Sequence, residues 1–488
     1  MYKKESPSDE NQMRIEEFFL PFGGKLKKDN PWVVKAALIP WEEYERDYEK
    51  LFSSRTGAPA LSFRIALGSL IIKETLNLTD RTTVQQIEEN PYLQYFLGFT
   101  AYQFDAPFDH SMMSRFRKRI PESTLIEINS RIIQTHLEKS KSRNGDDDND
   151  NSTPPYIKVE QSGTMVVDAT CTPADISFPT DLNTLNAGRE KLEKTVDILW
   201  AFSTQKSEKP RTHRKTARKL YLNAARSKRL TRANRRKAIR KQLGFVKRDL
   251  QTIKSLGGLD RLPSKQYHLL LVISEMYRQQ QEMYGQRKHT VKDRIVNIFQ
   301  PHIRPIVRGK TGKQTEFGAK ISASIVDGFT TLDRISFDSY NESEDIENQV
   351  EIYNKLYGAY PKRVLADQIY QTRKNRAYCK KMGIKLSGKP LGRPPKSGFT
   401  AEQKEAWRLD ECERVPIEGK FGQLKRRFSL DRIMAKLAMT TKAVLRIAFI
   451  VVNLERILYL PILKSRNHVF FFNIYQIMNM KRSKWVLN

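Results

Sequence analysis

PKRVLADQIYQTRKNRAYCKKMGIKLSG, residues 361–388, carries two kinds of periodicity. Val364, Leu365 and Ala366 form a short continuous apolar run after Pro361, as in a buried strand, and the strand ends at Asp367. TRKNRAYCKKMG, 372–383, has helical spacing, and IKLSG, 384–388, reads as a second short strand. Working upstream, EDIENQVEIYNKLYGAY at 344–360 predicts a helix. FGAKISASIVDGFTTLDRISFDSY at 317–340 predicts two strands joined at Asp327-Gly328, a hairpin turn pair. Further back, GTMVVDAT at 163–170 is a β-rich run ending in Asp168. Downstream, the loop KPLGRPPKSG at 389–398 leads into a helical stretch that carries Glu418.

Setting aside the helical stretch after Asp168, these elements read strand, hairpin of two strands, helix, strand, helix, strand, helix. That is the order of an RNase H-like α/β core with a mixed sheet. In this order the first and fourth strands lie side by side, so Asp168 and Asp367 stand at neighbouring strand ends. Glu418 reaches the same edge from a helix packed on the sheet. Phosphodiester chemistry with two divalent cations needs such a set, because hard oxygen ligands suit Mg²⁺ or Mn²⁺. One Asp after a strand is usually a loop or cap residue; three acids at these places in this order carry more weight. Arg414, Glu418 and Lys425 are spaced four and seven apart, on one helical face, where the two cations can touch a phosphate. Pro416 is expected in a first helical turn, which puts Arg414 just before the helix. An ordinary surface ion pair is the bland reading of Arg414 and Glu418. Thr170 and Asp175 either orient Asp168 or cap the next helix.

The chain has 488 residues and a formal net charge of +31. Such an excess repels itself unless a polyanion neutralises it, and nucleic acid is the usual one. The charge concentrates between Lys206 and Arg248, where HRKTARKLYLNAARSKRLTRANRRKAIRKQLGFVKR (213–248) interleaves Ala, Leu and Ile at helical spacing. This predicts a basic amphipathic helix pair suited to lying along phosphates, with Arg214, Arg218, Arg229, Arg235 and Arg236 as DNA contacts. Arg393, in Gly392-Arg393-Pro394, is either a minor-groove hook or part of a rigid loop.

Three cysteines without a CxxC pair argue against a zinc knuckle or a disulfide framework and fit a reducing cytoplasm. The polar N-terminus lacks a signal-peptide core, and no run is long and apolar enough to span a bilayer. AVLRIAFIVV at 443–452, with Arg446 inside it, reads as a buried helix. His110, His213, His268, His289, His302 and His468 lack ligand spacing.

The expected organisation is an N-terminal helical domain over 1–140, a linker over 141–157 and a catalytic domain over 158–455. A basic helical insertion covers about 185–312 and an apolar tail 456–488. Within the N-terminal part, LSFRIALGSLIIKETLNL (61–78) through DHSMMSRFRKRI (109–120) predicts three or four short helices. Asp80 or Thr82 is expected to cap one of them, and Asp109 or Ser111 another. They form either a helix-turn-helix-like DNA-binding unit or a plain dimerisation bundle. KSRNGDDDNDNSTPPY at 141–156 has the composition of a disordered linker.

VVDAT at 166–170 followed by Pro173-x-Asp175, VLADQIYQTRKNRAYCKKMGIKLSGKPLGRPP at 364–395 and ERVPIEGKFGQLKRRFSLDRIMAKL at 413–437 resemble the DDE transposases of bacterial insertion sequences, the IS-five family. The resemblance covers the N-terminal helical segment and nearly everything from 160 to 455. It implies that Asp168, Asp367 and Glu418 bind the catalytic metals, and that the chain cuts and joins DNA at terminal inverted repeats as a homodimer, at the nucleoid of a bacterium. The family signature Tyr-x2-Arg-x3-Glu-x6-Lys falls on Glu411, Arg414, Glu418 and Lys425, so its tyrosine is a glutamate here. The Asp-Lys pair often seen at the second aspartate is Asp367-Gln368. A catalytically inactive or domesticated DNA-binding protein and a nuclease of the same fold are the alternatives.

Overall fold

In the computed structural model the described residues are 18–20, 24–53, 59–141, 161–203, 208–307, 315–390, 392–393, 395 and 398–459. The expected linker from 142 onward and most of the expected tail lie outside them.

Seven helices come first: α1 (Pro31–Ala36), α2 (Trp41–Glu49), α3 (Phe63–Leu76), α4 (Asp80–Glu89), α5 (Pro91–Phe96), α6 (Met112–Arg119) and α7 (Glu122–Lys141). The first two fall in a stretch whose sequence shows no clear pattern. Thr79, one residue before the expected caps, closes the N-terminus of α4: its hydroxyl accepts from Thr82 N, and Thr82 Oγ1 accepts from Thr79 N. At α6, the Asp109 side chain accepts from Ser111 N, while Ser111 itself makes no side-chain cap.

The strands are β1 (Thr164–Pro173), β2 (Arg304–Val307), β3 (Thr315–Val326), β4 (Phe329–Ser336), β5 (Arg363–Leu365) and β6 (Lys385–Leu386). They form one mixed sheet in the order β2-β3-β1-β5-β6, with β4 also on β3. β1 is antiparallel to β3 and parallel to β5. Asp327 and Gly328, both at positive φ, make the tight turn between β3 and β4, as their types predict. The helices α8 (Asp181–Phe202), α9 (Arg214–Ala225), α10 (Arg232–Leu256) and α11 (Ser264–Gln286) lie between β1 and β2. The helices α12 (Ile346–Tyr357) and α13 (Arg373–Lys381) flank β5 in the chain, and α14 (Ala401–Arg427) and α15 (438–459) follow β6. The expected element order is therefore present, with one strand more. β2 lies inside the segment read as helical insertion. Four residues pairing with a neighbour's edge leave too weak a periodic signal to register.

The alternation of side chains along β1 and β5 divides the interior. Met165, Val167, Val364 and Ala366 pack with Ile346, Val350 and Cys379 from α12 and α13. Val166 and Leu365 face the other way, into a core shared with Ile417, Phe421 and Leu424 of α14, Phe449 and Val452 of α15, and the N-terminal helices. The N-terminal helices are thus continuous with one face of the sheet. Asn453, fully buried on α15, ties them in: its amide donates to Asn129 Oδ1 of α7 at 2.8 Å and its oxygen accepts from Thr330 N of β4 at 2.8 Å. Arg446, the charge inside the apolar run of α15, is neutralised by Glu122 at 3.0 Å. A third core, with Leu192, Val196, Val246 and Ile273, holds α8, α10 and α11 together.

Candidate active site

Register and alternation bring the two aspartates together. Val166 pairs with Leu365 across the parallel β1–β5 ladder. Asp168 lies two residues past Val166 on β1 and Asp367 two residues past Leu365, just beyond β5, and both line a cleft with α14. Asp168 does not end its strand. β1 runs on to Pro173, paired with β3 alone, whereas β5 stops at Leu365. Asp367 lies just beyond the fifth strand, not at the end of a fourth, and its Oδ1 accepts from Gln368 N at 2.6 Å at the start of a single 3-10 turn. The carboxylates meet where β5 falls away and opens the sheet.

Glu418 projects from α14. Ile417, Phe421 and Leu424 anchor this helix in the core, leaving Arg414, Glu418 and Lys425 along the rim of the cleft. Pro416 sits inside the helix rather than at its start, so Arg414 is helical. Proline at 416 removes the N–H that would bond the Cys412 carbonyl; both residues are exposed, and water can take that carbonyl.

A cleft of about 680 Å³ is lined by Asp168, Asp367, Glu418, Arg414 and Lys425, all five of the residues expected to act on phosphate. Arg414 is the hub. Its NH2 donates to Glu418 and to Glu411, each at 2.8 Å, and its NH1 lies 3.9 Å from Asp168 Oδ2. The pairing holds the Glu411 carboxyl below its ordinary range. Lys425 Nζ donates to Thr170 Oγ1 at 2.9 Å, so Thr170 steadies a cation rather than Asp168. Asp175 pairs with Arg432 at 2.7 Å and neither orients Asp168 nor caps a helix. Glu342 and Lys320 also line the cleft, paired at 2.9 Å. Sequence reading missed both; Glu342 lies in a short turn after β4 with no periodic pattern, and Lys320 shows only as a polar interruption in a strand.

Four carboxylates and three cations share this cleft. Among the described residues no three His, Cys, Asp or Glu side chains are drawn close enough together to hold a metal ion. Glu418 is turned to Arg414 instead. Burial pushes Asp168 up to about 6, reinforced by Glu342 and Asp367 and opposed by the Ala169 N–H and Arg414. The folded state therefore holds this proton more tightly than the unfolded chain. The stability it confers is complete below about pH 4 and is lost as pH rises through about 6. Asp168→Asn is expected to raise the unfolding free energy at pH 8 by up to about 3 kcal/mol, and to add nothing at pH 3.5. Denaturant melts of both proteins at the two pH values check this; no gain at pH 8 counts against a strained, buried carboxylate.

The expected basic helix pair is present as α9 and α10. Arg218, Arg229 and Arg235 are exposed, and Arg393 is exposed on the loop between β6 and α14. Arg214 is engaged with Asp197 of α8 at 2.8 Å, which pins α9 down. Arg236 stacks on Tyr284 of α11 at 4.0 Å. Arg235 and Arg236 line a second cleft, of about 890 Å³, together with Arg232, Arg287, Lys288 and His289. Sequence reading left out those four, three of which come from the end of α11 and the turn after it.

Residues 364–455 match the family model described as Transposase DDE domain, and residues 21–119 match the model described as Transposase domain (DUF772). Both matched stretches are thus similar to transposase domains. The DDE match contains Asp367, Arg414, Glu418 and Lys425; Asp168 lies before it and is joined to them by the fold. A Rhizobium meliloti protein named "Uncharacterized protein ORF8 in nfe locus" is 30% identical over 146 residues, 30% of this chain and 63% of that protein. The match thus spans less than two thirds of that relative. No solved structure matches. Among the described residues no helix is long and apolar enough to cross a membrane.

Proposed function

We propose that this chain cleaves double-stranded DNA at the terminal inverted repeats of its element and joins the freed ends to target DNA, on an RNase H-like core. The observation that carries the reading is one cleft lined by Asp168 on β1, Asp367 just after the neighbouring parallel strand β5, and Glu418 on α14.

The donor set fits Mg²⁺ or Mn²⁺. The three acids offer carboxylate oxygens, on an exposed Asp367 and Glu418 and a half-buried Asp168, while Cys171, also in the cleft lining, is buried. Asp168, Asp367 and Glu418 would hold the ions, which when bound polarise the phosphodiester and activate a hydroxyl nucleophile. Arg414 and Lys425 offset the charge that grows on the phosphate oxygens. In the first step a water oxygen bonds to phosphorus and the P–O3′ bond breaks, leaving a 3′-hydroxyl and a 5′-phosphate. In the second the 3′-hydroxyl oxygen attacks a target phosphorus and displaces the target's own 3′-oxygen, which takes up a proton. The basic helices α9 and α10, within an insertion of about 185–312, bind DNA backbone through Arg214, Arg218, Arg229, Arg235 and Arg236, with Arg393 at a further contact. The N-terminal helices recognise the ends or pair two copies into a homodimer.

Cleavage of a duplex carrying the element's ends, with and without Mg²⁺, tests the reading. Joined products are expected. Nicks without joining would instead favour a nuclease of the same fold, and end binding without any Mg²⁺-dependent cleavage an inactive DNA-binding copy.

A further inference from the structure

We propose that Glu411 is a positioning residue that keeps Arg414 at the catalytic cleft when a divalent cation claims Glu418; this rests on Asp168, Asp367 and Glu418 being the cation ligands.

Without a divalent ion, the Arg414 guanidinium stands among these acids and bonds one of them. Its side chain is only 9% exposed, its NH2 bonds Glu418 at 2.8 Å and its NH1 lies 3.9 Å from Asp168. A cation and this guanidinium therefore compete for the same carboxylates. If Glu418 were the sole partner, handing it to the ion would leave a buried guanidinium unpaired beside a doubly charged ion. That is a costly state, because a buried charge without a partner loses both its hydration and its counter-charge.

Glu411 removes this conflict. It lies one turn before Glu418 on α14 and takes the same NH2 at 2.8 Å, with Nε at 3.3 Å as well. The guanidinium is a fork that can keep one carboxylate while releasing another. Glu411 is 63% exposed, so its negative charge is cheap to maintain, and it points along the helix rim rather than lining the cleft. The departure of the family signature at this position thus gives Arg414 a second anchor. The arginine can stay in place for a phosphate while Glu418 turns to the ion.

The test is Mn²⁺ binding to the full-length protein without DNA, followed by calorimetry. Glu411→Gln is expected to weaken Mn²⁺ binding about tenfold, the value of one charge-assisted hydrogen bond now demanded from Glu418 instead. Glu411→Asp retains most of the affinity. In an Arg414→Met background, where nothing competes for Glu418, the same Glu411→Gln change is expected to cost less than about twofold, the screened effect of one surface charge. If Arg414→Met does not fold, Arg414→Gln serves as the background, since a neutral amide brings no charge to compete with the ion. Equal losses in both backgrounds, or no loss in either, would overturn the proposal. No Mn²⁺ binding by the unmodified chain would overturn the ligand reading itself, and the proposal with it.

Discussion

On the proposed reading, Asp367→Ala is expected to lower Mg²⁺-dependent cleavage of the element's ends by at least about 10³-fold, because losing a metal ligand would forfeit several kcal/mol of charge stabilisation at the phosphate. The same change barely touches the fold. Asp367 is exposed, and its carboxylate accepts from the neighbouring Gln368 N–H. Loss of that bond costs about 1 kcal/mol at most. Glu418→Ala should behave alike, since Glu418 is also exposed and bonds only Arg414 among the described contacts. Cleavage assays beside denaturant melts separate the two effects. Cleavage at the level of the unmodified protein in either variant would remove the carboxylate assignment. Together with the stability gain expected of Asp168→Asn, this gives a signature that general misfolding cannot produce: activity lost while stability holds or rises.

The second large effect lies away from the carboxylates. Changing Arg232, Arg235, Arg236 and Arg287 together to glutamine should weaken binding of any duplex by about 10²–10³-fold at 0.1 M salt and reduce the salt slope by about 2–4, as each phosphate contact contributes close to 0.9. These four line the 890 Å³ cleft between α10 and α11, and Asp181 is the acid that lines it with them. Three are exposed, and Arg236 rests on Tyr284 at the surface, so the core of Leu192, Val246 and Ile273 stays intact. Binding isotherms at several salt concentrations measure both quantities. An unchanged slope would mean that the helical segment does not carry the DNA. A reduced slope with normal discrimination between cognate and random ends would place end recognition elsewhere, with the N-terminal helices the next surface to probe.

Several features of the site were legible from residue order. The apolar run 364–366 ending in an acid, the Asp327-Gly328 turn and the spacing of Arg414, Glu418 and Lys425 each rest on local rules of strand, turn and helix, and the fold contains all three. The basic segment was equally plain, because one-signed charge at helical spacing is a local property. Pro416 misled for the same reason: a local rule favours proline in a first turn, but a helix anchored by Ile417, Phe421 and Leu424 tolerates one on its exposed side.

By itself, then, the sequence determined most of the elements of the sheet core, their order, and which acids and cations they carry. Only the tertiary structure decided that Val166 pairs with Leu365, and that Asp168 and Asp367 line one cleft with α14. It alone joined β2 to the sheet edge, brought Glu342 and Lys320 into the cleft, and set one guanidinium between Glu411, Glu418 and Asp168. The division has one physical cause. Periodicity records which face of an element is buried, whereas register and side-chain pairing across distant segments are set by how those buried faces fit together.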